Sequence, residues 1–307
     1  MNLTLKDAID LFLTSCRFER KLSPHTCKAY ALDLRRFSLF MTNRDSGSRI
    51  IDLDRQAISA FLKSLDGLKA RTVRRKLATI KSLFAYLERE SYIESSPVQR
   101  LKLDVRVGRR LPRSIGLESI KALLALIRKR LRIAAHSYQR RELIRDLAVF
   151  ETLFLSGMRV GELSNLKVQA INFEKGSILI SGKGNRERTI PLCSKAASAA
   201  VVRHIRTNCR NHPEAFLFVN RRGVRLSEQS IRASLNRYAN DAGVGKITPH
   251  MIRHTVATLL LARGADLRSI QVLLGHSSIV TTTIYTHVDD STQRHMLSAL
   301  HPRNSFR

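Results

Sequence analysis

Along the first hundred residues the apolar positions recur at intervals of three and four, the signature of helices that each bury one face. The segment LKDAIDLFLTSC gathers Leu5, Ile9, Leu11, Phe12 and Leu13 toward one side. Ser23 followed by Pro24 reads as an N-cap and first helical residue, after which Tyr30, Leu34, Phe37 and Phe40 keep helical spacing. A short helix is expected over 54–64 and a longer one over 70–90, with Val73, Leu77, Ile80, Leu83, Phe84 and Leu87 inward. Arg71, Arg74, Arg75, Lys76 and Lys81 fall on the opposite side of that last helix. Residues 1–103 are therefore predicted to form a small all-helical domain with one basic face.

The periodicity stops at DVRVGRRLPRS, residues 104–114, where Gly108, Pro112 and four arginines describe an extended, charged linker. Such a linker either lies along phosphates or is a solvated tether. Beyond it, residues 115–307 return to helical patterns over 117–132 and 139–156, break at Gly157, and resume in a short helix through Glu162 and Leu166. Between 176 and 192 the period falls to two: an apolar strand, a Gly-Lys-Gly-Asn turn and a second strand, the edge of a small antiparallel sheet. Helices are expected again over 195–208, 227–242, 249–262 and 266–274. After His287, Asp289, Asp290 and Ser291 resemble a helix start, and Met296, Leu297 and Leu300 supply an apolar face that docks on its own domain or on a neighbour's. The fold class is mainly α with a small antiparallel β-sheet, a helical N-terminal domain followed by an α+β domain.

Charge narrows the partner. The chain carries 54 Lys and Arg against 25 Asp and Glu, a formal +29, far more than solubility requires, so a polyanion is the economical explanation. Through Arg110 there are 23 basic and 12 acidic residues and beyond it 31 and 13, so both halves are expected to face that polyanion. Charge alone fits a solvated surface, a ribosome-associated protein or a packaging protein as well as an enzyme acting on DNA. No run of about 18 apolar residues exists and MNLTLKDAIDLF lacks a signal-peptide pattern, so no membrane role is expected and the cytoplasm is the expected location. Cys16, Cys27, Cys193 and Cys209 form no CxxC pair, and reduced thiols are expected. Cys193, His204, Cys209 and His212 have ligand types that suit zinc, but two of the three gaps depart from paired-ligand spacing, and ordinary helix-face or loop positions are preferred.

Four separated pieces place unusual polar residues in an otherwise apolar helical domain: SGMRVGEL around Arg159, SGKGNRERTIPL around Lys183, ITPHMIRHT around His250 and Arg253, and LLGHSSIVTTTIYTH through His276 and Tyr285. Each alone has an ordinary explanation. An arginine between glycines is commonly exposed, a hairpin lysine solvated, a lone histidine satisfied in a core, and a tyrosine packed by its ring. In order and spacing together, however, the pieces resemble the catalytic domain of tyrosine recombinases, the phage integrase type, most closely bacterial Xer-like and phage or transposon integrases. The resemblance runs from about Ile115 to the end, with a looser likeness of the first hundred residues to the family's helical core-binding domain.

The resemblance implies that Arg159 and Arg253 are the two catalytic arginines, whose planar forks grip a phosphate and neutralise charge growing on its nonbridging oxygens. Arg253 lies three residues after His250 on a helix that Pro249 opens, so the two share a face. Lys183 is implied to protonate the departing 5′ oxygen, and His250 and His276 to handle protons around the scissile phosphate, with His250 relieving the tyrosine of its proton. Tyr285 is the implied nucleophile; Tyr30 and Tyr86 instead fall on apolar helix periods. Glu162 is expected to orient a catalytic side chain, His254 to be a supporting residue, and Arg186 and Arg188 to contact phosphates. The implied reaction is site-specific DNA recombination through a 3′-phosphotyrosine, with no cofactor and no metal. The implied partners are double-stranded DNA and a homotetramer on two duplexes, with room for a second recombinase or an accessory protein. The rivals are a nicking-type topoisomerase, which relaxes DNA without exchanging strands, and a catalytically silent DNA-binding protein.

Overall fold

Residues 3–43, 49–99, 114–182, 187–208, 212–275 and 296–305 are described by the computed structural model. The chain divides into two compact units, Met1–Arg110 and Leu111–Arg307. The expected linker lies outside the described residues except for Ser114.

In the first unit the helices are α1 (Leu5–Phe18), α2 (Pro24–Thr42), α3 (Arg55–Lys63) and α4 (Ala70–Arg89). Ser23 caps α2 by accepting from the Thr26 amide at 3.2 Å, so the Ser-Pro start forms as its chemistry dictates. The core gathers Phe12, Phe37, Phe61 and Phe84, all fully buried. Leu11 is exposed instead, one position off the buried stripe of Leu5, Ile9, Phe12 and Cys16. Lys76 is also a correction: it does not join the outer basic face but is buried, its Nζ donating to Asp33 at 2.7 Å. Asp33 is itself buried and also accepts from Arg75 and from Thr79, because a carboxylate removed from water must be paired.

The second unit is built around α6 (Ser137–Ser156), buried continuously from Leu143 to its end. Around it pack α5 (Leu117–Ile133), α8 (Lys195–Asn208) and α10 (Pro249–Ala262), with α7 (Val160–Ser164), α9 (Glu228–Asp241) and α11 (Leu267–Leu274) completing the helical set. A three-stranded antiparallel sheet of β1 (Ile171–Asn172), β2 (Ser177–Ser181) and β3 (Glu187–Pro191) runs in the order β1-β2-β3. Its register pairs Ile178 with Ile190 and Ile180 with Arg188. The turn holding Lys183 lies outside the described residues. Among the described residues no helix is long and apolar enough to cross a membrane.

Gly157 stops α6 in the left-handed region at φ +57°, and a Cβ there would lie 2.6 Å from Leu274 Cδ2. An L side chain thus meets both a backbone penalty and a collision. Gly157→Ala is expected to destabilise the second unit by about 3 kcal/mol, read as a lower denaturant midpoint; a midpoint equal to wild type would mean the loop relaxes without cost.

The described tail packs onto its own unit. Met296 and Leu297 are buried in the second unit's core, and Arg263 donates to the Leu300 carbonyl at 3.2 Å. Arg303, nearly inaccessible, donates to both oxygens of the fully buried Glu151 at 2.6 and 2.8 Å, and Arg128 reaches the same carboxylate at 2.5 Å. In the single chain, residues 296–305 thus pack on their own unit.

Candidate active site

Three chain segments converge where α6 ends. Arg159 stands at the N-cap of α7, two residues past Gly157, and its backbone amide donates to Glu162 Oε2 at 2.8 Å. Its guanidinium donates to Glu162 Oε1 at 3.0 Å and to the Gly275 carbonyl at 2.8 Å, while remaining half-exposed. Arg253 comes from α10, whose start is fixed by Pro249 and by Thr248 accepting from the Met251 amide at 3.2 Å. Unlike Arg159 it is buried; Nη1 donates to the Gly157 carbonyl at 3.0 Å, and Nη2 has no partner among the described residues. Burial, and then the neighbouring charge of Arg159, hold the Arg253 guanidinium down to about 10, against an opposing attraction from Glu162. His250 lies one turn before Arg253 on the same helix and is exposed.

Glu162 is the counter-charge of the group. Burial alone would raise its carboxyl, but hydrogen bonds from Arg188 and Arg159 win and hold it below the usual carboxylate range. Arg188 places Nη1 and Nη2 on the two Glu162 oxygens at 3.1 and 2.7 Å and Nε on the Leu273 carbonyl at 2.9 Å. With its side chain only 10% exposed, Arg188 is held within the fold by these three bonds. Strand alternation carried the signal: Arg188 shares the parity of buried Ile190 and sits opposite buried Ile180.

Of the predicted site residues, Arg159 and Arg253 are thus brought together with Glu162, and His250 joins them by its place on α10. Lys183, His276 and Tyr285 lie outside the described residues, as does Arg186. The described chain leads toward them from Gly182 at the end of β2 and from Gly275 at the end of α11. His254 is half-buried one position past Arg253.

Of the zinc-like set, Cys209 lies outside the described residues. His204 is buried, bonded through Nε2 to the Leu217 carbonyl at 2.8 Å and through Nδ1 to Asn208 at 2.9 Å, and burial pushes it down to about 4. No group of three or more His, Cys, Asp or Glu among the described residues is arranged to hold a metal ion.

What this arrangement offers is a cationic socket: the guanidiniums of Arg159 and Arg253, the second with a donor unsatisfied among the described residues, with Arg159 held by a carboxylate that Arg188 also grips. Comparison with known proteins agrees. The phage integrase family matches residues 121–292, and the phage integrase N-terminal SAM-like domain matches residues 9–91. A tyrosine recombinase of Agathobacter rectalis is 37% identical over 306 residues, covering 98% of each chain. The tyrosine recombinase XerC of Oceanobacillus iheyensis is 37% identical over 304 residues, 96% of each. Among solved structures, the XerH site-specific recombinase bound to palindromic difH substrate in a post-cleavage complex shares the fold. It has a TM-score of 0.68 and 22% identity over 96% of this chain and 82% of that one. With a family match over more than half its length and named relatives over nearly all of it, the chain belongs to the phage integrase family, the tyrosine recombinases, enzymes of site-specific DNA recombination.

Proposed function

We propose that this recombinase cuts and rejoins double-stranded DNA with Tyr285 as nucleophile and with Arg159, Arg253, Lys183, His250 and His276 arranged around the scissile phosphate. The observation that carries the reading is the buried, half-satisfied guanidinium of Arg253 beside Arg159. A desolvated cation with an open donor and a like-charged neighbour is costly in the free protein. An entering phosphodiester oxygen removes both costs at once.

In the proposed step the Tyr285 hydroxyl gives its proton to His250 as its oxygen bonds to phosphorus. The bond from phosphorus to the 5′ oxygen breaks, and Lys183 supplies the proton that the departing oxygen needs. His276 hydrogen-bonds the phosphate. The 3′-phosphotyrosine keeps the ester energy, so attack by a second 5′ hydroxyl restores DNA and frees Tyr285 without a nucleotide cofactor. Charge that grows on the nonbridging oxygens is met by the two arginines, the role a metal ion plays elsewhere.

Residues 1–103 would form the core-binding arm, 104–114 the linker along the DNA and 115–307 the catalytic part; the division near Arg110 and the basic surplus on both sides support this. Two duplexes, each cut on both strands, call for four protomers, so the working form is a homotetramer in the cytoplasm, joined by a second recombinase or accessory protein where the site is asymmetric. The tyrosine recombinases 37% identical over nearly the whole chain favour recombination over the topoisomerase and silent-binder readings.

The test uses a library of nicked duplexes as suicide substrates, in excess EDTA and without ATP, with covalent protein–DNA adducts resolved under denaturing conditions. Adducts are expected to form at undiminished rate. Loss of cleavage that magnesium restores would identify a metal-dependent nuclease instead.

A further inference from the structure

We propose that Arg188 is a positioning residue for strand cleavage, acting through Glu162 and through the end of α11; this rests on the roles given above to Arg159 and Tyr285. Its guanidinium joins three segments. It rises from β3, five residues after Lys183, and holds Glu162 on α7 by both oxygens and the carbonyl of Leu273 three residues before His276. One side chain therefore ties together the pieces of chain that carry Lys183, Arg159 and the His276–Tyr285 segment.

Arg159 depends on that tie. Its pair with Glu162 is an i,i+3 contact of a half-exposed arginine, the kind that by itself fixes little. The buried, bidentate hold of Arg188 is what fixes the carboxylate, and a fixed carboxylate then accepts both the Arg159 amide and its guanidinium. Arg159 in turn donates to the Gly275 carbonyl, so two arginines secure the last residues before His276. Gly275 is shaped for this: it takes φ +63°, and a Cβ there would come 2.9 Å from Arg188 Nη1. Every guanidinium nitrogen of Arg188 already donates to Glu162 or to the Leu273 carbonyl, whereas Arg253 keeps Nη2 open among the described residues.

Adduct formation under single-turnover conditions on the nicked duplexes distinguishes these roles, using Arg188→Gln, Arg188→Lys, Glu162→Gln and the Gln/Gln double variant of the full chain. Arg188→Gln is expected to slow the adduct step about 30-fold, with DNA affinity and its salt dependence unchanged. In the Glu162→Gln background the same change should cost only about threefold, the part that runs through Leu273. Arg188→Lys should recover part of the rate by keeping the charge without the fork.

Arg188→Gln should also add an acid limb to the rate profile. Among the described residues Glu162 then keeps Arg159 and the more distant Arg253 as cations, with the Glu228 carboxylate of α9 beside Gly161, and its pKa rises. Equal losses in both backgrounds, or weaker DNA binding with a shallower salt slope, would overturn the proposal and make Arg188 a direct phosphate contact. An unchanged rate would overturn it outright. If Arg188→Gln melts below the assay temperature, the Lys variant decides: a slowed adduct step with a near-normal Tm supports positioning, and full activity refutes it. Failure of the underlying reading shows separately, as a wild-type chain that forms no Tyr285-dependent adduct.

Discussion

Replacing Tyr285 by phenylalanine is expected to lower covalent adduct formation by more than about 10⁴-fold while changing DNA affinity less than about twofold. The change removes one oxygen. No other described or expected site group supplies a nucleophile at the phosphate, since the arginines and lysine are cations at neutral pH and histidine is assigned to proton transfer. Affinity, in contrast, comes from many phosphate contacts spread over a chain with a formal charge of +29, and one phenol contributes little to it. A phenol of reference pKa near 10 attacks only with help from neighbouring groups that take its proton. Gel shift and denaturing electrophoresis on matched samples measure both quantities. An adduct that persists in Tyr285→Phe would assign the nucleophile to another of the six tyrosines.

Where local rules determine the structure, the sequence was a good guide. Ser23-Pro24 and Thr248-Pro249 open helices because a capping hydroxyl and a preset φ do so in almost any context. The same rules put His250 and Arg253 one turn apart, and Gly157 at a left-handed stop beside Arg159. What could not be read depended on contacts between distant segments. Nothing near Lys76 announces that Asp33, 43 positions earlier, will draw it inward. Nothing near Arg188 announces Glu162 and Leu273, although the strand parity of Arg188 with Ile190 was visible and outweighed by the basic look of its motif. The tail is a third instance, since the helical face of Met296 and Leu297 was visible but the ion pair of Arg303 with Glu151 on α6 was not. In each instance a buried charge found its partner across the fold, and sequence spacing is silent about such pairs.

Two buried arginines of the second unit should respond in opposite ways to the same substitution. Arg303 is satisfied in the free chain by both oxygens of Glu151, so Arg303→Met leaves a buried carboxylate with only Arg128 and is expected to cost about 3 kcal/mol of stability. Arg253 has no such partner. Among the described residues it makes one bond, to Gly157, and leaves Nη2 without a partner; it faces Arg159, and its pKa is held down to about 10, below the ordinary guanidinium range. Because its folded pKa is depressed, the penalty of keeping it charged is fully present below about pH 10 and is relieved only as pH rises beyond that. Removing the charge gains about 2 kcal/mol after allowance for solvent screening, and losing the bond to the Gly157 carbonyl gives back about 1. Arg253→Met is therefore expected to leave the denaturant midpoint unchanged or slightly raised, while adduct formation falls about 10³-fold because the transition-state charge has lost its buried donor. A fall in stability of Arg253→Met as large as that of Arg303→Met would show that Arg253 is a structural ion-pair member. Stability retained together with cleavage lost would mark it as a group held at a cost until the phosphate arrives.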